Sequence, residues 1–164
     1  MSRRRLTPVI SATPRPPHDP ADAADADLDT TVDVLARTLW GEARGEPIAG
    51  IEAVAAVVAN RARIAAERGG WWWGATIRDV CLKPWQFSCW NSGDPNRPRL
   101  LAVGRGDPVF ETCVRIARRA ALGLLADPTG GATHYHAVGV GPYWAAGRSP
   151  SAVIGRHLFY NDVE

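Results

Sequence analysis

The 164 residues are 46% hydrophobic and 22% charged and carry a net charge of +2. That balance fits one globular domain and excludes a wholly disordered or fibrous chain. No run of about 18 uncharged apolar residues occurs, so no membrane-spanning helix is expected, and the charge is too mild to mark a nucleic-acid partner.

In chain order, residues 1–28 read as a tail. Arg3, Arg4 and Arg5 precede Pro8, Pro14, Pro16, Pro17 and Pro20, and Asp22, Asp25 and Asp27 then lie among alanines. No apolar periodicity runs through this stretch, so disorder is expected over residues 1–28 and a folded domain over 29–164. The first helix is predicted to start near Thr30, which stands with Asp33 at capping-box spacing, Asp replacing the usual Glu. Leu35 and Leu39 repeat at helical spacing, and Gly45-Glu46-Pro47 ends the segment. A second helix is predicted from about Gly50 to Arg68, with Ile51, Val54, Val58, Ala62 and Ala65 as its apolar stripe and Gly69-Gly70 as its stop.

Residues 71–106, rich in Trp, Pro and Gly, read as loop and short helix. A third helix starts at Asp107 as N-cap with Pro108 in the first turn, and Cys113, Ile116, Ala117, Ala120 and Leu124 form its core face. After a turn at Asp127-Pro128-Thr129-Gly130-Gly131, residues 132–137 and 153–160 read as two short strands paired antiparallel. The fold class is therefore α+β, mainly helical, with a small antiparallel sheet.

One carboxylate sits where the pattern calls for an apolar side chain. At 100° per residue, with Leu35 at zero, Leu39 falls at about 40° and Glu42 at about −20°. Glu42 thus points from the leucine face. Burial there disfavours the charged form and raises the pKa. A carboxyl kept protonated near neutral pH is what a general acid for glycosidic cleavage must be. The same position also suits an ion pair with Arg44 at the helix end. Glu46 is either a second carboxylate or a residue that shapes the Gly45–Pro47 turn.

W-G-E-A-R-G-E-P at 40–47 is followed by V-A-A-V-V-A-N-R at 54–61 and Q-F-S at 86–88. G-A-T-H-Y-H at 131–136, P-Y-W-A at 142–145 and I-G-R-H-L-F-Y at 154–160 complete the series. In this order the blocks resemble the cell wall hydrolases of the spore cortex-lytic enzyme type, over about residues 34–160. The resemblance implies a lysozyme-like domain related to lytic transglycosylases. It also implies peptidoglycan glycan strands as the partner and cleavage of the β-1,4 bond between N-acetylmuramic acid and N-acetylglucosamine. The first Glu of E-A-R-G-E, here Glu42, is then the acid. No cofactor, no metal and no nucleic acid are expected, and the chain is expected to act as a monomer. Such a substrate places the action in the periplasm or cell wall. With no signal peptide visible after the three arginines, release by lysis, by a holin or by a phage-like particle, or export by an unseen route, is expected.

Hydrolysis by two carboxylates requires a partner for Glu42. Glu46, Asp79 and Asp94 are the acids in or near the motifs; Glu46 would share a helix face with Glu42, but Gly45 and Pro47 end the helix before it, and Asp79 and Asp94 form no helix-spaced pair with Glu42. A single-acid scheme needs no partner. Glu42 protonates the glycosidic oxygen, then accepts the proton of the muramic 6-hydroxyl as that hydroxyl closes a 1,6-anhydro ring. A lytic transglycosylase is therefore expected.

Substrate contacts are expected from Glu46, Gln86, Phe87, Ser88, Thr133, His134 and Tyr135. Gln86 suits N-acetyl groups, Phe87 a sugar face, and Tyr135 the reacting sugar; a core role for Phe87 and a loop tie for Gln86 are the plainer alternatives. Trp71, Trp72 and Trp73 cannot all face one core from a loop, so at least one is expected to be exposed as a sugar platform or a lid. Two rival functions stand beside this one. His134 and His136, with His157 on the neighbouring strand, form a conceivable zinc set for an N-acetylmuramoyl amidase or a peptidase. The other rival is a non-catalytic glycan-binding or virion module. Cys81 and Cys89 flank the Pro84–Gln86 loop as a disulfide or as buried thiols, like Cys113.

Overall fold

The computed structural model describes residues 20–164; the disorder expected over residues 1–19 lies outside the described residues. Residues 20–28, also expected to be disordered, are helical: α1 runs from Pro20 to Ala43. Alanine loses least entropy in a helix, proline suits a first turn, and Asp22 there complements the positive end of the helix dipole. Asp27 pairs with Arg78 at 3.4 Å and Asp29 with Arg118 at 2.8 Å. Both pairs are exposed and worth about 1 kcal/mol or less. The capping box expected at Thr30 does not form, because Thr30 lies inside α1 and its hydroxyl donates to the Ala26 carbonyl at 2.9 Å.

Helix α2, Ile48–Glu67, is the central element. Most of the expected stripe is buried, but so are Ala53, Ala55, Ala56, Val57 and Asn60 on its other faces. The reason is that α1, α3 (Ile77–Leu82) and α5 (Pro108–Ala121) all pack against it, and alanine lets their backbones approach closely. Leu35, Leu39, Val54, Val57, Val58, Leu100 and Phe159 are fully buried in the shared core, each large side chain contributing on the order of 2 kcal/mol.

A true capping box starts α3, where Thr76 accepts from the Asp79 amide and Asp79 accepts from the Thr76 amide, at 3.1 and 3.2 Å. A 3-10 turn at Ser88–Trp90 and α4 at Arg97–Ala102 follow. Helix α5 opens as expected, with Asp107 accepting from the Phe110 amide at 2.8 Å. It ends at Ala121, and Gly123 turns the chain at φ 71°, so Leu124 is 69% exposed rather than part of the core face.

The sheet has three strands, not two. The expected strand over 153–160 folds back on itself at Gly155-Arg156, giving β2 (Ala152–Ile154) and β3 (His157–Tyr160) beside β1 (His134–Ala137) in the order β1-β3-β2, all antiparallel. Gly155 has φ 57°, and a Cβ there would collide with the Glu46 carboxylate. In the β1–β3 register Tyr135 opposes Phe159 and Ala137 opposes His157, while His134 opposes Tyr160 and His136 opposes Leu158. Successive side chains alternate; Tyr135, His157 and Phe159 therefore share one face, and His134, His136 and Tyr160 the other. Among the described residues, no helix is long and apolar enough to cross a membrane.

Candidate active site

Glu42 occupies the last turn of α1 on the face of Leu35 and Leu39, half-buried where those leucines are fully covered. It borders two hollows. One, of about 410 Å³, is lined by Arg61, Trp72, Gln86, His134, Tyr135 and Trp144. The other, of about 520 Å³, is lined by Glu46, Ala137, Gly155, Arg156 and His157.

The Tyr135 hydroxyl donates to Glu42 Oε2 at 3.1 Å. Burial pushes the Glu42 carboxyl above its ordinary range, and the negative charge of Asp94 adds to that rise; the Cys89 and Tyr135 donors oppose it. The ion pair with Arg44 does not form. That guanidinium lies 4.6 Å over the Trp40 ring and donates to Asn96 Oδ1 at 3.3 Å. Among the described residues no cation lies within ion-pair distance of Glu42. Gly41 explains how Cys89 comes so near, since a Cβ there would stand 2.7 Å from Cys89 Cβ and 2.9 Å from its sulfur.

Arg61 organises the first hollow, and sequence reasoning passed over it. Buried on α2, it donates through Nε to the Thr133 carbonyl at 2.7 Å and through Nη1 to Gln86 Oε1 at 2.8 Å. Its neighbour Asn60 donates to the Ala132 carbonyl at 3.0 Å and to Asp127 Oδ2 at 3.0 Å. Asp127 in turn accepts from the Thr129 and Gly131 amides, both at 2.8 Å. Asn60 and Arg61 thus grip the chain entering β1 and set where Tyr135 meets Glu42. The available signal was an Asn-Arg pair directly after the uncharged apolar run over residues 53–59 of α2.

Of the expected contacts, Gln86, His134 and Tyr135 line the first hollow beside Glu42. Tyr135 spends its hydroxyl on Glu42 itself. Phe87 also borders that hollow but is 3% exposed, with Arg61 5.8 Å over its ring, so it serves as core. Ser88 and Thr133 line neither hollow: Ser88 starts the 3-10 turn facing solvent, and Thr133 is buried with its hydroxyl 3.0 Å from His134 Nδ1. Trp73 is buried, whereas Trp72 is exposed at the hollow; Tyr143 and Trp144, on a further 3-10 turn, complete its aromatic wall without having been singled out as site residues.

The acids separate into distinct roles. Glu46 accepts from the Arg156 amide and from its Nε, both at 2.9 Å. Burial alone would raise its pKa, but those bonds hold it below the usual carboxylate range. Glu46 is therefore the turn-shaping residue. Asp79 is committed to the α3 cap, and Asp94 Oδ1 accepts from the Asn96 amide at 2.8 Å while its charge reaches Glu42.

The conceivable zinc set does not converge, because the β1–β3 register puts His157 on the face opposite His134 and His136. His136 Nδ1 lies 2.9 Å from the Ala137 carbonyl and its Nε2 3.0 Å from the Tyr160 hydroxyl. His134 is pushed down to about 4 by burial and by the positive charges of Arg61 and Arg148. Among the described residues, no three His, Cys, Asp or Glu side chains cluster as a metal site. Cys81 and Cys89 form no disulfide; both are buried thiols, like Cys113, and burial drives Cys81 up to about 12.

A family model described as Cell Wall Hydrolase matches residues 45–160, a span that begins just after Glu42. The spore cortex-lytic enzyme of Halalkalibacterium halodurans is 32% identical over 136 residues, 81% of this chain and 35% of that protein. The spore cortex-lytic enzyme of Bacillus cereus is 30% identical over 131 residues, 78% of this chain and 43% of that protein. The chain therefore spans well under half the length of these relatives. Two solved structures are similar in fold. The catalytic domain of the germination-specific lytic transglycosylase SleB from Bacillus anthracis gives a TM-score of 0.60 at 28% identity, covering 79% of this chain and 92% of that one. The catalytic domain of Bacillus cereus SleB gives 0.59 at 26% identity, covering 80% and 89%.

Proposed function

The chain belongs to the cell wall hydrolase family, and from that premise we propose that it cleaves the β-1,4 bond between N-acetylmuramic acid and N-acetylglucosamine in peptidoglycan, as a lytic transglycosylase with Glu42 as its single acid and base. The observation that carries this reading is one carboxyl, raised in pKa by burial and bonded to Tyr135, at the meeting point of two hollows. The description of the SleB domain as a lytic transglycosylase supports the same reaction.

Tyr135 holds one Glu42 oxygen, and the other carries the proton to the glycosidic oxygen. The bond to the anomeric carbon breaks through an oxocarbenium-like transition state. Glu42, now charged, takes the proton of the muramic 6-hydroxyl as that oxygen bonds to the anomeric carbon, and the acid is restored. The attacking group is already attached to the sugar, so no carboxylate is needed to hold a water. Trp72, Tyr143 and Trp144 offer aromatic surfaces suited to sugar rings. In this reading the chain acts at the cell wall, as a monomer.

Digestion of purified peptidoglycan followed by mass spectrometry tests the reading. Glycan ends one water lighter than hydrolysed ends are expected, and Glu42→Gln should lower their release by at least about a thousandfold. Near-normal lysis by Glu42→Gln would remove Glu42 from the chemistry. Asp94 favours one second reading, because its charge acts on Glu42. Reducing muramic ends, with Asp94→Asn as damaging as Glu42→Gln, would make the enzyme a two-carboxylate hydrolase.

A further inference from the structure

A third hollow, of about 760 Å³, lies between the end of α3 and the start of α4, lined by Leu82, Trp85, Trp90, Asn91, Ser92 and Asp94. Trp85 is 83% exposed and is the one non-glycine residue of positive φ among the described residues, at 68°. Lys83-Pro84-Trp85-Gln86 forms a reverse turn closed by the Gln86 amide donating to the Lys83 carbonyl at 3.1 Å. Proline in second place and positive φ in third are the marks of a type II turn, whose third place ordinarily takes glycine or asparagine. A bulky side chain there is strained. Neither turn chemistry nor burial accounts for an indole held in solvent at that position.

The surroundings supply a reason. Trp90 walls the hollow, and its indole N–H is spent on the Thr38 hydroxyl at 2.9 Å, so it presents carbon surface. Asn91, Ser92 and Asp94 add an amide, a hydroxyl and a carboxylate at the edge. Flat aromatic surface bounded by such groups matches a pyranose ring, with C–H bonds against the indole and hydroxyl or N-acetyl groups toward the polar edge. The hollow also adjoins the Glu42 site. Gln86, next in sequence to Trp85, lines the first Glu42 hollow, and the charge of Asp94 reaches Glu42.

We propose that the Trp85 hollow is a second glycan-binding site, holding the N-acetylated strand beyond the sugars at Glu42. The proposal rests on reading the Glu42 cleft as glycan-cleaving. Strand and cleft then run on from one another over the Pro84–Gln86 turn, and retention on a long polymer gains from two linked contacts.

The test sediments Glu42→Gln protein with insoluble peptidoglycan, beside Glu42→Gln carrying Trp85→Gly and Glu42→Gln carrying Leu124→Ser. Glycine suits the third turn position, so Trp85→Gly should melt no lower than its parent. Leu124 is exposed and apolar outside all three hollows, and controls for unspecific adhesion. Trp85→Gly should weaken retention about five- to tenfold, as loss of an aromatic anchor does, and Leu124→Ser should not. Equal retention by all three proteins, or equal loss in both double variants, would overturn the proposal. Wall lysis by Glu42→Gln would instead overturn the catalytic reading, and sedimentation in the cold, before the wall dissolves, would still report on Trp85.

Discussion

The Tyr135 hydroxyl on β1 donates to Oε2 of Glu42 on α1 at 3.1 Å, joining residues 93 positions apart. Tyr135 is itself partly buried, its phenol held well above the ordinary range by burial and by Glu42 beside it. It therefore stays a hydrogen-bond donor across any ordinary pH. A donor of this kind stabilises charged Glu42 against the desolvation that favours the neutral form.

Tyr135→Phe removes that donor and lets the Glu42 pKa rise further. The alkaline limb of the pH–lysis profile should move to higher pH, and the rate on the acid side should fall about tenfold as the carboxyl loses its fixed orientation. An unmoved limb, measured by turbidity loss of purified wall across pH, would uncouple Tyr135 from the acid.

Glu42 also makes stability depend on pH. Its folded pKa is raised, so the stability it contributes is fully present below the unfolded carboxylate value and is lost as pH rises through the folded value. Glu42→Gln removes this loss. Its melting temperature should gain on the parent's as pH rises from about 4 to about 8. A constant difference between the two curves would show that the carboxyl is not desolvated.

Glu46 carries the opposite sign. Its folded pKa is depressed, so its contribution is present above the unfolded value and lost as pH falls through the folded value. Glu46→Gln should cost about 1 kcal/mol at neutral pH by weakening the hold on Arg156, with the difference shrinking in acid. It should retain far more lytic activity than Glu42→Gln. Denaturant melts at two pH values and one lysis assay check both statements.

Arg61→Lys keeps the charge but gives up the planar fork that reaches Thr133 and Gln86 together. A loss of about 2–3 kcal/mol in unfolding free energy is expected, together with slower lysis as β1 loosens from α2. Full stability in the lysine variant would show that Asn60 alone anchors the strand.

The local pattern carried much of the fold. Asp107-Pro108 starts α5 as expected because a cap acts within one turn, and α2 ends near Gly69-Gly70 because glycine adopts left-handed backbone there. Alternation in H-Y-H correctly put Tyr135 and the two histidines on opposite faces. Thr30-Asp33 misled because the preceding alanines extend α1 upstream, leaving Thr30 in a helix interior with its own i−4 carbonyl to bond. The hairpin at Gly155 was missed because its tight turn is held from a distance, by the Glu46 carboxylate on the Arg156 amide.

By itself the sequence determined that Glu42 shares a face with Leu35 and Leu39, since helical periodicity is local and needs no partner. It also determined the family blocks and their order. Only the tertiary structure decided which acid is left at the hollows and which is tied into a turn or a cap. Glu46 and Asp79 differ from Glu42 through Arg156, 110 residues away, and through a cap at Thr76. It decided too that His157 faces away from His134 and His136, because register is a property of two paired strands. The Glu42 environment combines Tyr135, Cys89 and Asp94 from three separate segments. A pKa depends on distance through space and on the removal of water, and neither quantity exists until the chain has folded.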